Sequence, residues 1–475
     1  MGKYRHLAAA ALFSAVVPAF AQDAGNPVTT GSEESSAIGI TVSGMLDLKY
    51  VYTQGQILDV ITAPTAVSAN DTDATNFWSG RFTVDMDIRL SDKVSALIEM
   101  ENRRINGGAN LNLGGDTGGA LDADTVHFEQ AYIHVAEFLD PKLSLRIGLQ
   151  DVRYRDGFFI DVSEAESAFT VGTLAVSRDT LEAAGVRGFW AGGEKWDVDL
   201  GYYTIIEAGS PRADEGLLAL HGNWEVTEKL KLEGIIALMH NGSSAAGTFL
   251  GYSPKDATVY SFGVSLDWAP ISGLNLFADA IWQTGRITDD TTPGTALAAN
   301  APPDVEVDHA ATAVRVGGKY MFDASIHPWF QLEYWRISGD DKAAPDGENH
   351  EFISYENNDQ FLIVEDNDFG MDIDANYSAW KATLGASITD NISVMAEIGF
   401  FDLVNPSTFN GGTTLLSSGD NLGTELDLTA TWNYSKSLTF ETTVASLFGS
   451  DLVEEMSHEK TSSAQEFLAS VVLKY

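Results

Sequence analysis

QEFLASVVLKY, residues 465–475, puts Phe467, Ala469, Val471, Leu473 and Tyr475 on one face of an extended chain, with Glu466, Ser470 and Lys474 between them. Side chains of a strand alternate sides residue by residue, so this stretch reads as a strand with one greasy face and one wet face. An aromatic ring at the end of such a dyad strand is the pattern of an all-β, transmembrane antiparallel barrel. There the last strand pairs with the first and no sheet edge is left. That reading sets compartment, fold class and function class together.

The other end of the sequence agrees with it. Lys3, Arg5 and His6 precede an apolar run from Leu7 to Phe20, and Ala19-Phe20-Ala21 offers a small-x-small cleavage site before Gln22. This is the layout of a secretory signal peptide over residues 1–21, its apolar run falling short of the roughly 20 residues of a spanning helix. A short polar periplasmic segment, 22–37, is expected next, with no room for the folded plug of an active transporter, and the barrel takes 38–475. The sequence has no cysteine, which rules out an acyl-thioether anchor and a disulfide framework. A hydrophobic content of 44% and a mean hydropathy of -0.06 resemble those of a soluble protein. In a barrel, lipid-facing and water-facing positions average out along each strand, so the membrane character shows only in the period of two.

From Ile38 to Tyr52 the even positions are Ile, Ile, Val, Gly, Leu, Leu, Tyr and Tyr, while Thr41, Ser43, Asp47 and Lys49 fall on odd ones. The next segment sets Trp78, Phe82, Val84, Met86, Ile88 and Leu90 against Arg81, Thr83, Asp85, Asp87 and Arg89, and Ser91-Asp92-Lys93 then turns the chain. The rhythm predicts strands near 38–52, 78–90, 94–104, 125–136, 142–151, 180–192, 195–207, 215–226 and 230–241. It predicts further ones near 257–268, 273–285, 309–322, 328–338, 376–388, 392–402, 422–434, 437–448 and 464–475, eighteen in all. Brief turns such as Thr227-Glu228-Lys229, Thr389-Asp390-Asn391 and Ser435-Lys436-Ser437 alternate with mostly long connections, the asymmetry of periplasmic turns and extracellular loops. Aromatic residues collect at both strand ends as interfacial belts would: Trp190, Trp224, Trp268, Phe322, Tyr434 and Tyr475 at one, Tyr52, Trp78, Tyr202, Tyr260, Trp282, Tyr334 and Trp380 at the other. In the fourth strand Val126, Phe128 and Tyr132 compete with Ala131, Ile133 and Val135, and the inward face stays unassigned.

Eighteen strands enclose a lumen wide enough for water, so a passive channel follows from the geometry. The period of two places Arg81, Arg89, Arg103, Arg146 and Arg187 in the inward frame beside Asp85, Asp87, Glu99 and Glu101, a set able to screen solutes by charge or to pair locally on a hydrated wall. The third long loop carries Arg153, Arg155, Asp156, Asp161, Glu164 and Glu166 amid Phe158, Phe159, Ile160 and Phe169. Apolar residues in a loop seek burial, so this loop is expected to fold into the lumen as a constriction; an external lid is the alternative.

RIGLQDVRYRDGFF (146–159), GVRGFWAGGEKWDVDLGYY (185–203) and EYWRISGDD (333–341) resemble segments of the alginate-export porins, outer-membrane channels of eighteen strands. The resemblance implies a passive conduit with a basic lumen suited to anionic polysaccharide or small anions, with Arg146, Arg153, Arg155 and Arg187 as lumen residues.

A net charge of -40 makes nucleic acid an implausible partner. Twelve carboxylates lie between Asp340 and Asp374 and five more between Arg286 and Asp308, which predicts an acidic outer mouth that by default keeps the surface hydrated, and that could also attract cations or bridge to lipopolysaccharide through divalent metal. Asp366, Asp368, Asp372 and Asp374 crowd around Gly370 and could hold Ca2+, although the spacing is not that of an EF-hand; otherwise no cofactor is expected. No HExxH, GxSxG or P-loop is present and the histidines are dispersed, so an enzyme is not expected. The leading function is passive diffusion of small hydrophilic or charged solutes across the bacterial outer membrane, anionic sugars or oligosaccharides among them. The alternative is an outer-membrane adhesin or loop-based binding protein. Outer-membrane lipid is the expected surrounding, and homotrimer and monomer both stay open.

Overall fold

The computed structural model describes residues 38–54, 74–107, 126–162, 183–206, 215–241, 254–289, 305–339, 348–354, 360–365, 373, 375–405, 419–452 and 463–475. The first strands are β1 (Gly39–Gln54), β2 (Ala74–Arg89), β3 (Val94–Gly107), β4 (His127–Val135), β5 (Leu143–Leu149), β6 (Val152–Arg153) and β7 (Asp161–Val162). Next come β8 (Ala184–Ala191), β9 (Trp196–Ile206), β10 (Glu215–Thr227), β11 (Leu230–Asn241), β12 (Pro254–Trp268), β13 (Leu274–Asp289) and β14 (Val305–Met321). The last are β15 (Trp329–Ile337), β16 (Glu348–Asn349), β17 (Tyr377–Thr389), β18 (Ile392–Leu403), β19 (Asn421–Asn433), β20 (Leu438–Gly449) and β21 (Ser463–Lys474).

All but β6, β7 and β16 belong to one closed antiparallel barrel of eighteen strands, each bonded to the next in chain order. The ring shuts where β21 pairs with β1, from Met45 opposite Lys474 to Gln54 opposite Gln465. Tyr475 extends this seam. Its backbone exchanges hydrogen bonds with Gly44 at 3.0 and 3.1 Å, its hydroxyl donates to the Thr83 carbonyl at 3.2 Å, and its ring stacks on Phe82. The aromatic end of the strand thus closes the cylinder through backbone bonds and ring packing together.

Burial is inverted relative to a soluble sheet. Val264, Leu332, Leu384 and Leu428 are exposed on the outside, while Asp279, Lys381, Glu425 and Asp427 are buried on the inside. Both aromatic belts lie on the outer surface, with Trp224, Tyr434 and Tyr475 exposed at the end of the short turns and Trp78, Tyr202 and Trp380 exposed at the other. The fourth strand is ambiguous in sequence because it carries a bulge. The register against β3 shifts between Glu99 and Met100, so Phe128 faces outward before it and Ala131, Ile133 and Val135 after it, which turns Tyr132 to the lumen. Residues 286–289 and 305–308, read from sequence as part of an acidic loop, instead extend β13 and β14, and Arg286 meets Glu306 at 2.7 Å. Residues 1–37, which hold the expected signal peptide and periplasmic segment, lie outside the described residues.

A cation on the lipid face has no hydration and no partner there. Phe262→Arg, outward on β12, should therefore lower stability in lipid vesicles by about 2–4 kcal/mol in urea refolding, as expected for a midplane arginine on a barrel.

Candidate functional site

Strands β5 and β8 are the shortest of the barrel, at 7 and 8 residues. The chain leaves the wall after Leu149, and the Gln150 backbone N–H donates to the Ala183 carbonyl at 3.0 Å, which ties the exit to the neighbouring strand. Residues 152–162 then form a small hairpin, with Val152 paired to Val162 and Arg153 to Asp161. Its tip is apolar, and Tyr154, Phe158, Phe159 and Ile160 are all buried. The only way to bury them is inward.

Arg155 and Asp156 fix where the tip lands. Arg155 adopts a left-handed backbone (φ 58°), a strained state for a residue with a Cβ that persists only when its surroundings hold it. Its guanidinium reaches Asp279 on β13 at 2.7 Å, Asp267 on β12 at 2.8 Å and Glu233 on β11 at 4.0 Å. Asp156 meets Arg315 on β14 at 2.6 Å, and Arg315 also pairs with Asp279 at 2.7 Å. Tyr154 lies 4.8 Å from the His221 ring, and His221 bridges Asp199 and Glu233 at 3.0 and 2.8 Å. A buried charge costs several kcal/mol unless paired, and this network pairs hairpin cations with wall carboxylates and the reverse.

A second segment also packs against the inner wall, and sequence reading assigned it to the acidic outer mouth. Ile353 receives both ends of the Gln283 amide: its N–H donates to Oε1 at 2.9 Å and its carbonyl accepts from Nε2 at 2.6 Å. The Ile363 and Val364 N–H groups donate to the Glu425 carboxylate at 2.8 and 2.9 Å, and that of Leu362 to Asp427 at 3.3 Å. Phe361 packs edge-on against Phe401, and Phe352 lies 5.8 Å from Phe159 of the first segment. The signal was present in the sequence: Phe361-Leu362-Ile363-Val364 is an apolar run within an acidic stretch. The burial argument made for Phe158 to Ile160 applies to it equally.

Arg81 pairs with Glu101 at 2.5 Å, Asp85 accepts from Ser43, Glu99 accepts from Gln130, and Asp87 is exposed on the same inner face. Arg89 departs from the expected wall: it sits at the strand end and pairs with Asp92 of the turn at 2.6 Å. Arg103 stands opposite Arg81 in the register. Arg187 bonds Asp199 at 2.8 Å and lies over Phe189. Arg146, cross-strand from both His134 and Arg187, is held over Tyr132 at 4.3 Å and Phe189 at 5.4 Å, and among the described residues it has no ion-pair partner. Glu164, Glu166, Asp366, Asp368, Asp372 and Asp374 lie outside the described residues.

Two outcomes follow. Arg155→Ala takes one of two cations from Asp279, which keeps Arg315, and the cation from Asp267, and should cost about 1–3 kcal/mol, with faster proteolysis of the 152–162 segment and a larger unitary conductance. Burial pushes the Glu365 carboxyl up to about 7, against the pull of the Tyr377 hydroxyl and Lys381. A raised carboxyl favours the docked segment below its ordinary range and loses that contribution as pH climbs through 7. Amide exchange at Ile363 and Val364, corrected for intrinsic rates, should therefore be slower at pH 5 than at pH 8.

The fold is similar to that of OccK11 (OpdR) of Pseudomonas aeruginosa, at 12% identity and a TM-score of 0.50 over 91% of this chain and 95% of that one. It is likewise similar to the outer membrane protein OprD of Pseudomonas aeruginosa, at 14% identity and a TM-score of 0.51 over 92% and 93% of the two chains. At such identities the likeness is one of fold. No curated protein matches the sequence. The family model described as alginate export matches residues 65–465, most of the barrel, and the chain therefore belongs to the alginate export family of outer-membrane β-barrel channels.

Proposed function

We propose that this outer-membrane channel passes small hydrophilic solutes by diffusion and prefers anionic ones, sugar acids and short anionic oligosaccharides among them. The observation that carries the reading is Arg146. Like charges directly opposite one another in a sheet repel, yet Arg146 stands directly opposite Arg187. The rings of Tyr132 and Phe189 steady its guanidinium, and no described carboxylate neutralises it. Many of the acids deeper in the barrel are already spent: Asp199 on Arg187 and His221, Asp279 on Arg155 and Arg315, Glu397 on Lys381, Glu425 on backbone N–H groups. A passing anion therefore meets a cation with free donors, while a passing cation meets carboxylates that are largely occupied.

In this reading Arg153, Arg155, Asp156 and Asp161 hold the 152–162 hairpin as the constriction, and Arg81, Asp85, Asp87, Glu99, Glu101 and Arg187 keep the wall hydrated. Planar bilayers under a salt gradient test it. The expected result is an ohmic current whose reversal potential shows anion preference, reduced toward neutrality in Arg146→Gln. A cation preference, or an Arg146→Gln channel with the same reversal potential as the unsubstituted one, overturns it.

A further inference from the structure

The outer face of the barrel carries a cation that the protein leaves uncompensated. On β15 the outward residues Phe330, Leu332, Tyr334 and Arg336 alternate with the buried Gln331, Glu333, Trp335 and Ile337. Arg336 is exposed at the loop end of the strand, two residues beyond Tyr334. Register sets it opposite Val314 of β14 and Ser378 of β17, so neither neighbour offers a carboxylate. Among the described residues its side chain makes no ion pair and no hydrogen bond. Arg286, the outward arginine of β13, is treated differently: Glu306 at 2.7 Å and Asp308 at 3.6 Å neutralise it. The next outward acid along the Arg336 row is Asp402, opposite Ser378 on β18. It lies two strand spacings away, roughly 10 Å, and its Oδ1 accepts from Asn421 at 2.9 Å. Ser378 beside Arg336 and Thr312 diagonally across β14 carry hydroxyls that are not bonded among the described residues. Directly beneath, the outward rings of Tyr334 and Trp380 pack at 4.8 Å, and below them Leu332, Leu384 and Phe400 are exposed. The patch is thus graded along the strands, with a guanidinium and two hydroxyls at the outer belt and an aromatic and aliphatic surface under them.

We infer that Arg336, with Ser378 and Thr312, binds a phosphate of lipid A, the phosphorylated glycolipid anchor of lipopolysaccharide, while the Tyr334–Trp380 ridge takes its acyl chains. A guanidinium at the hydrocarbon margin is costly without a counter-charge, and the protein supplies none, so the anion comes from the membrane. The planar fork gives two parallel bonds to one phosphate, and the hydroxyls donate to its remaining oxygens. The end of β15 that bears Arg336 is the one away from the short turns, which sets it in the outer leaflet, where the lipid phosphates are those of lipopolysaccharide. At a net charge of -40 the chain as a whole repels anionic lipid, so retention of such a lipid depends on a local contact of this kind. The contact faces away from the lumen, and it stands or falls independently of the solute the channel passes.

Native mass spectrometry of the full-length protein in detergent, with bisphosphorylated lipid A, phosphatidylglycerol or inorganic phosphate added, tests the contact. Lipid A should be retained, and Arg336→Gln should weaken its retention by about tenfold, the effect of losing one charge-assisted contact. Arg286→Gln makes the same change of net charge at an arginine that is already neutralised, and should leave retention as it is. Folding of each variant is read from heat-modifiable mobility, and Arg336→Lys, which keeps the charge without the fork, should retain part of the binding. Retention of lipid A that is equal in Arg336→Gln and the unsubstituted protein, or that falls equally in both glutamine variants, overturns the site. Phosphatidylglycerol held as tightly as lipid A and lost with Arg336 overturns the assignment to lipid A, as does displacement of lipid A by an equal concentration of inorganic phosphate. The reversal potential of Arg336→Gln in planar bilayers should match that of the unsubstituted channel; a shift would place the arginine on the conduction path and likewise overturn the outward site.

Discussion

A backbone N–H or C=O left unpaired in hydrocarbon costs several kcal/mol, and water is not there to replace the missing partner. The barrel meets this requirement by bonding every strand to two others, including β21 to β1, so that the polar backbone is hidden from lipid all the way round. Once that ring exists, each strand has one face in lipid and one in the lumen, and the side chains have no freedom to exchange them. The greasy exterior, the charged interior and the two aromatic belts are consequences of the closure rather than separate features.

Closure also creates a difficulty, because a ring of eighteen strands is too wide for its own side chains to fill. The protein answers with two inward segments built on one scheme. Each brings an apolar group to the wall, Phe158 to Ile160 in one and Phe361 to Val364 in the other, and each is held there by polar bonds to wall residues. The bonds differ in kind. The first segment exchanges charge with the wall through Arg155 and Asp156, whereas the second offers backbone N–H groups to wall carboxylates. Phe159 against Phe352 joins them, so movement of one is felt by the other.

The fold was legible in the sequence because it depends on a local rule: alternation on each strand is enough to place the strands and their number, and the paired Gly44 and Tyr475 follow from the aromatic strand end. Strand ends were less legible, since β13 and β14 continue through acidic residues that composition alone assigns to a loop. The inward face of the fourth strand could not be read because a bulge changes the parity partway along, and a bulge has no signature in a list of apolar residues. Of the site, Arg146, Arg187, Arg155 and Asp156 were visible from period and loop composition. The contacts of Arg155 with β11, β12 and β13 were not, because partners in space across a lumen leave no mark on spacing along the chain. The segment from Phe361 to Val364 was missed for a different reason: twelve surrounding carboxylates dominated the reading of that stretch.

The seam between β1 and β21 has a consequence for how the molecule comes into being. Its two halves are drawn from opposite extremes of the described chain, so the bonds from Met45 to Gln54 have no acceptor until β21 is made. Entropy of loop closure rises by only about 0.6 kcal/mol per doubling of length, so the delay is one of order and not of equilibrium. During that interval β1 presents a bare, hydrogen-bonding margin to whatever surrounds it. The margin of β1 that β21 covers in the finished ring is thus the last to gain its strand partner in chain order.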